Sequence, residues 1–302
     1  MIAVARLADR SPTTAAAVAA SLLLAAFVLF PVIGVFMVVP VTLSAATVAF
    51  VILRRGERAA TRAGLICFAM LLGVSLVMLR SAVAIPAAAL SSWLPPIAAA
   101  VVLGRTSSLA LATLSALALG MLAVIGFALL TGDPVAWWSA EIERLLGALA
   151  ESGQAGLDAD AIGATLAPVA LWMTGALGAS IALSALAALF VARYWQAALE
   201  KPGGFGAEFR ALSLGDLAAL VTVALVAAAA ALGGPVLIGL AVVASAGFAL
   251  QGLAIVHALV ARHGLPAFWL YAIYALLVMV PYLWPLLLAL GLLDTRVPLR
   301  RA

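Results

Sequence analysis

Seven runs of this chain contain no Asp, Glu, Lys or Arg: residues 14–53, 63–79, 81–104, 106–132, 161–192, 217–256 and 264–293. At 1.5 Å per residue, even the shortest reaches across most of a hydrocarbon core about 30 Å thick. Peptide groups find no water there, so a chain that crosses repeatedly crosses as helices. The expected fold is all-α: a polytopic membrane helical bundle of eight or nine transmembrane helices. The same runs also bound function, because an interior without charge offers no ion path, proton relay or catalytic carboxylate.

Composition points the same way. Hydrophobic residues make up 67% of the chain and charged residues 9%, against about 45–50% and 25% in soluble domains. Spans and short loops use up the 302 residues, so residues 1–302 read as a single integral membrane domain. The net charge of +4 comes from Lys and Arg beside the ends of the runs. Retention of positive charge on the cytoplasmic side explains that placement without any nucleic-acid partner. Cys67 stands alone in an apolar run, so neither a disulfide framework nor a cysteine metal cluster is expected. The first run reads as a retained span rather than a cleaved signal peptide.

The run 14–53 has the length of two spans, and Phe30-Pro31 through Gly34 is the expected break. Arg54, Arg55, Arg58 and Arg62 face the single Glu57. This most basic loop is expected in the cytoplasm, and with it the N-terminus, in a bacterial inner membrane. The fourth span, about 82–103, carries Pro86 and then Ser91-Ser92-Trp93-Leu94-Pro95-Pro96. Two adjacent prolines remove two donors, so a broken or strongly kinked helix is expected there. Arg105 follows on the cytoplasmic side.

Residues 131–160 are acidic, with Asp133, Glu141, Glu143, Glu151, Asp158 and Asp160 against Arg144. Asp133-Pro134 is a helix start, an N-cap followed by proline. Trp138, Ile142, Leu145 and Leu149 recur at helical spacing. They predict a short amphipathic helix over 133–152 on the outer membrane surface, with Trp137 and Trp138 at headgroup level and Gly153 and Gly156 at its end. The sixth span, about 161–191, is rich in small residues, among them Gly175, Gly178, Ala179, Ser180 and Ala182, which permit close helix packing. Residues 193–216 read as a cytoplasmic loop. Its Trp195, Phe205 and Phe209, with Arg193, Lys201 and Arg210, suit a headgroup belt or a docking surface for a partner. Gly233-Gly234-Pro235 is the turn between the seventh and eighth spans, and the ninth, about 267–292, has Pro281 and Pro285 inside it. Nine crossings would place the C-terminus outside, whereas Arg296, Arg300 and Arg301 favour the inside. The proline-bearing fourth and ninth spans are the candidates for incomplete crossing.

Catalytic and metal-ligating patterns are scarce. The chain has no phosphate-cradling glycine loop, no HExxH and no CxxC, so no cofactor, metal or catalytic residue is expected. His257 and His263 lie near the inner face and read as interfacial. Ser180 and His257 sit on separate spans, as in intramembrane serine proteases. Ile181, however, stands where those enzymes carry glycine, and serine is common at helix contacts. The candidate ligand-binding residues are Ser91, Ser92 and Trp93, because interrupted helices free carbonyls and amides for substrates. Gln251 joins them as the most polar side chain well inside a span. Packing at a kink, for the first three, and an interhelical hydrogen bond, for Gln251, are the competing roles.

Several landmarks resemble the YybS-like family of bacterial multi-pass membrane proteins. They are Val83-Ala84-Ile85-Pro86-Ala87, Leu94-Pro95, Leu103-Gly104-Arg105-Thr106-Ser107-Ser108-Leu109, Asp133-Pro134 with Trp137-Trp138, and Gly291-Leu292-Leu293-Asp294-Thr295 with trailing arginines. The resemblance covers nearly the whole chain. It implies a helical bundle loosely similar to substrate-binding components of energy-coupling-factor transporters, with no ATPase of its own and no functional residue to carry over. The leading expectation is thus a non-enzymatic inner-membrane protein, a substrate-binding subunit of a small-molecule transporter with an ATPase partner. A membrane scaffold that organises envelope proteins is the alternative, and an intramembrane serine hydrolase using Ser180 and His257 the remote one. The lipid bilayer is a partner in every case.

Overall fold

The computed structural model describes residues 2–79, 84–151, 159–280, 282–297 and 299–300. Its regular structure is helical throughout, with no strand among the described residues. Two compact units emerge: residues 1–116 with 183–213, and residues 117–182 with 214–302.

The first unit begins with α1 (Ile2–Ala8) and α2 (Pro12–Ile33). Ser11 caps α2 reciprocally. Its hydroxyl accepts from the Thr14 amide at 3.1 Å, and the Thr14 hydroxyl accepts from the Ser11 amide at 2.9 Å. Thr14 thus fills the place that Glu takes in a capping box, with Pro12 at the first helical position. The expected break arrives as a 3-10 turn over Gly34–Met37, just beyond Pro31, and leads into α3 (Val38–Arg55). Alanines carry the packing: Ala15, Ala16, Ala19 and Ala20 on α2 and Ala45, Ala46 and Ala49 on α3 are all buried. Gly56, at φ +79°, turns the chain into α4 (Glu57–Leu79).

Helix α5 (Ala84–Thr106) corrects the expectation of a broken helix, because it stays helical through Pro95 and Pro96. The prolines still deprive the carbonyls of Ser91 and Ser92 of their usual donors. Burial on both sides of the pair, by Ala89 and Trp93 before it and Ala99 and Ala100 after it, holds the helix together.

The stretch 193–216 is also more ordered than a loop. Helix α9 (Ala170–Glu200) starts later than the expected sixth span and runs on past Arg193, and α10 (Gly204–Arg210) follows. Of the three aromatics expected at headgroups or a docking surface, Trp195 and Phe209 are buried instead, and Phe205 is half-buried. Trp195 is fully buried, edge-on to Phe50, and Phe205 and Phe209 each pack near Phe190. Arg193 is spent on Glu208 and Gln196. Arg54 binds both Asp9 and Glu200, tying the ends of α1, α3 and α9 together.

In the second unit, α6 (Leu109–Thr131) contributes its C-terminal part and α9 its N-terminal part. With α12 (Pro235–Arg262) they meet at glycines. A Cβ on Gly120 would lie 2.5 Å from the carbonyl oxygen of Gly178, and one on Gly175 would lie 2.9 Å from the Cα of Gly239. Gly175 and Gly178 thus provide the close approach expected of a small-residue span. Asp133 caps α7 (Pro134–Glu151) by accepting from the amides of Val135 and Ala136 at 3.0 and 3.1 Å. On α7, Ile142 is buried and Leu145 exposed, and Leu146 lies against Gly163 of α8 (Ala159–Leu166). The Trp138 indole donates to Thr174 at 3.0 Å, while Trp137 stays exposed. The side chain of Leu149 and the expected stop at Gly153 and Gly156 lie outside the described residues, as do Asp158 and the side chain of Asp160.

Helix α11 (Asp216–Leu232) meets α12 through Gly233 and Gly234, both at positive φ, with Pro235 opening α12. The expected ninth span divides into α13 (Phe268–Met279) and α14 (Leu283–Asp294), separated at an extended Val280. Helix α14 runs antiparallel to α12, with Leu287 against Gly252 and Gly291 against Phe248. Among the described residues, six helical segments are long and apolar enough to cross a membrane by length and composition: α3, α4, α5, α6, α12, and α9 with its 3-10 lead-in.

Candidate functional site

The site builds on α3, α4 and α5 of the first unit. An apolar chamber of about 340 Å³ opens between them, walled by Leu65 and Phe68 of α4 and Leu90, Trp93 and Ile97 of α5. A second chamber of about 540 Å³ adjoins it at the Arg-rich end, lined by Arg55, Glu57, Arg58 and Arg105. Ile52, Glu57 and Val101 border both. Either volume lies within the range of about 300–1,000 Å³ typical of ligand pockets.

Trp93 is fixed in its wall by a hydrogen-bond chain. Its indole N–H donates to the Ser44 hydroxyl at 3.1 Å, and that hydroxyl donates to the Ala19 carbonyl at 2.7 Å. Both side chains are buried, so the chain pins α5, α3 and α2 at one level. At the mouth, Arg105 grips Glu57 with two bonds, at 2.7 and 2.8 Å. The bidentate geometry orients both groups, and their exposure keeps the energy modest. Replacing Trp93 by Phe should keep most of the wall while removing the donor to Ser44. A drop in the thermal midpoint worth about 1 kcal/mol is expected, read as loss of the monodisperse peak after heating in detergent.

The predicted site residues divide. Trp93 lines the apolar chamber. Ser91 and Ser92 do not, and their hydroxyls fold back onto the carbonyls of Ala88 and Ala89, each at 3.0 Å. Gln251 belongs to the second unit and is fully buried. Its amide accepts from the Leu214 backbone at 2.8 Å and donates to the Gly291 carbonyl at 2.9 Å, so its observed role is the structural one. The Ser180 hydroxyl donates to Leu177 on its own helix at 2.8 Å, while His257 Nε2 pairs with the Tyr274 hydroxyl at 2.9 Å. No hydrogen bond joins Ser180 to His257. No group of three or more His, Cys, Asp or Glu among the described residues could hold a metal ion.

Sequence reasoning missed Gly64, which lines the chamber and has open space where a side chain would stand. A glycine inside an apolar run carries no signal of its own. The mouth left a trace, since Arg55, Arg58 and Arg105 were visible as basic residues flanking the runs. Comparisons with protein-family models, curated proteins and solved structures found no match to the chain.

Proposed function

We propose that the chain is a non-catalytic, multi-pass protein of a bacterial inner membrane that holds a small molecule in the α3–α4–α5 groove. In this reading it is the substrate-binding subunit of a transporter whose energy comes from a partner ATPase, in keeping with the YybS-like resemblance. The observation that carries it is the apolar chamber walled by Trp93 and continuous with a basic mouth. The test is purification of the intact protein in mild detergent, followed by mass spectrometry of what accompanies it. A stoichiometric small molecule or an ATPase pair, with the small molecule lost from a Gly64→Leu variant, is the expected result. Envelope proteins alone, with no ligand, would move the reading to the scaffold.

Eight crossings fit this reading best: α2, α3, α4, α5, α6, α9, α11 and α12. Helices α13 and α14 have 12 residues each. Either one covers only about 18 Å of a core about 30 Å thick. Helix α14 also ends beside the middle of α12. An even count puts the N-terminus in the cytoplasm together with Arg54, Arg105 and Arg262, while α14, antiparallel to α12, points the C-terminal tail back away from that side. Helix α7 then lies on the outer surface. In a Cys67→Ala background, Ala140→Cys should react with an impermeant maleimide in intact spheroplasts, and Val297→Cys, just beyond a helix that ends beside the middle of α12, should not. Labelling of both in intact cells would restore nine crossings.

A further inference from the structure

We propose that the groove takes an anionic phospholipid, with an acyl chain in the Trp93 chamber and the phosphate at Arg58. The inference rests on the reading of the groove as a ligand site and names the class of ligand. Its first support is the order of the two chambers. The inner one is walled by Leu65, Phe68, Leu90, Trp93 and Ile97, and the outer one by three arginines and one glutamate. A ligand filling both needs an apolar tail and a polar head, in that order along the α4 axis.

Charge supplies the second support. Glu57 is held by Arg105 through both carboxylate oxygens, and Arg55 lies 3.9 Å from the Asp9 carboxylate. Arg58 makes no ion pair among the described residues, and neither does Arg62 one turn further along α4. The mouth therefore keeps a surplus guanidinium after its internal pairs are made. A zwitterionic head would bring its own cation and leave that surplus, whereas a phosphodiester with no cation neutralises it. Guanidinium suits a phosphate better than ammonium does, because its fork bonds two oxygens at once.

The third support is room. Gly64 in the inner chamber and Gly104 in the outer one each have nothing within 4 Å of where a Cβ would stand. Leu65 and Leu90, exposed at 66% and 43%, flank the opening as an apolar rim through which a chain could enter from the side. Gly64→Leu therefore fills the chamber without forcing the backbone. Leucine is also a better helix former than glycine, so this variant should fold.

The test uses the full-length protein in detergent and native mass spectrometry, with phosphatidylglycerol and phosphatidylcholine of identical chains as probes. The wild type should retain one phosphatidylglycerol in preference to phosphatidylcholine. Gly64→Leu should abolish that retention, while Gly73→Leu, which also enters open space on α4 but does not line the groove, should keep it. Arg58→Gln should weaken phosphatidylglycerol about fivefold, the equivalent of ~1 kcal/mol for one basic residue at an anionic surface, and leave phosphatidylcholine unchanged. Equal retention of both lipids, lost together in Gly64→Leu, would overturn the headgroup assignment and leave the groove as a ligand site. Retention indifferent to Gly64→Leu would mean boundary lipid only and overturn the lipid assignment. The groove itself fails as a ligand site if that variant also leaves every co-purifying small molecule in place.

Discussion

Gly252→Ala should lower the thermal midpoint of the detergent-solubilised protein by the equivalent of about 1–3 kcal/mol, the cost of overpacking a well-filled interior. The reason is local. A Cβ on Gly252 would lie 2.8 Å from the carbonyl carbon of Leu287 and closer still to its oxygen. Backbone, unlike the end of a flexible side chain, cannot swing away, so α14 must move off α12. Gly291 makes the reciprocal approach, its absent Cβ standing 2.9 Å from the carbonyl carbon of Phe248. Displacement of α14 would also loosen the cluster of Ala249, Leu277 and Leu287. Gly73→Ala is the matched control, because nothing lies within 4 Å of its Cβ position, and it should be neutral or slightly stabilising. If the two variants melt together, α14 does not seat on α12 through these glycines.

The contrast between these glycines shows where sequence reading stops. Helix ends were legible, because caps and turns depend on neighbours in the chain. Asp133-Pro134 and Gly233-Gly234-Pro235 both mark boundaries that the structure keeps. Faces were not. When lipid and protein are equally apolar, a side chain buried against a neighbouring helix and one facing lipid obey the same pattern. Leu145 and Leu146 are adjacent and chemically identical, yet the first is exposed and the second meets Gly163. Gly64 and Gly252 likewise look alike in the chain, one opening onto a chamber and the other pressed against Leu287. The Ser91-Ser92-Trp93 run was noticed for its prolines, but Trp93 contributes through its wall position and its bond to Ser44. The aromatics of 193–216 were misplaced because their partners, Phe50 and Phe190, lie on other turns of the fold or across the unit.

Gln251→Leu should be the most damaging single substitution in the second unit. It leaves the Leu214 N–H and the Gly291 carbonyl without partners in a buried place, each at a cost of about 1–3 kcal/mol. Loss of most of the monodisperse protein after mild heating is the expected result. Gln251→Glu separates this structural clamp from a ligand-lining role. A protonated carboxyl can reproduce both bonds, its carbonyl accepting from Leu214 and its hydroxyl donating to Gly291, whereas a carboxylate can only accept. With no cation beside it, the buried side chain is accommodated as the neutral acid and not as the carboxylate. Both bonds are then made at low pH, and the acceptor-only form loses the one to Gly291 as the pH rises. The Gln251→Glu protein should therefore melt closer to the wild type at pH 5 than at pH 8, with the wild type changing less. A ligand-lining Gln251 would instead leave both variants as stable as the wild type at every pH and impair only ligand retention. Under that outcome the junction of α12, α14 and the residues before α11 would be held by apolar packing alone.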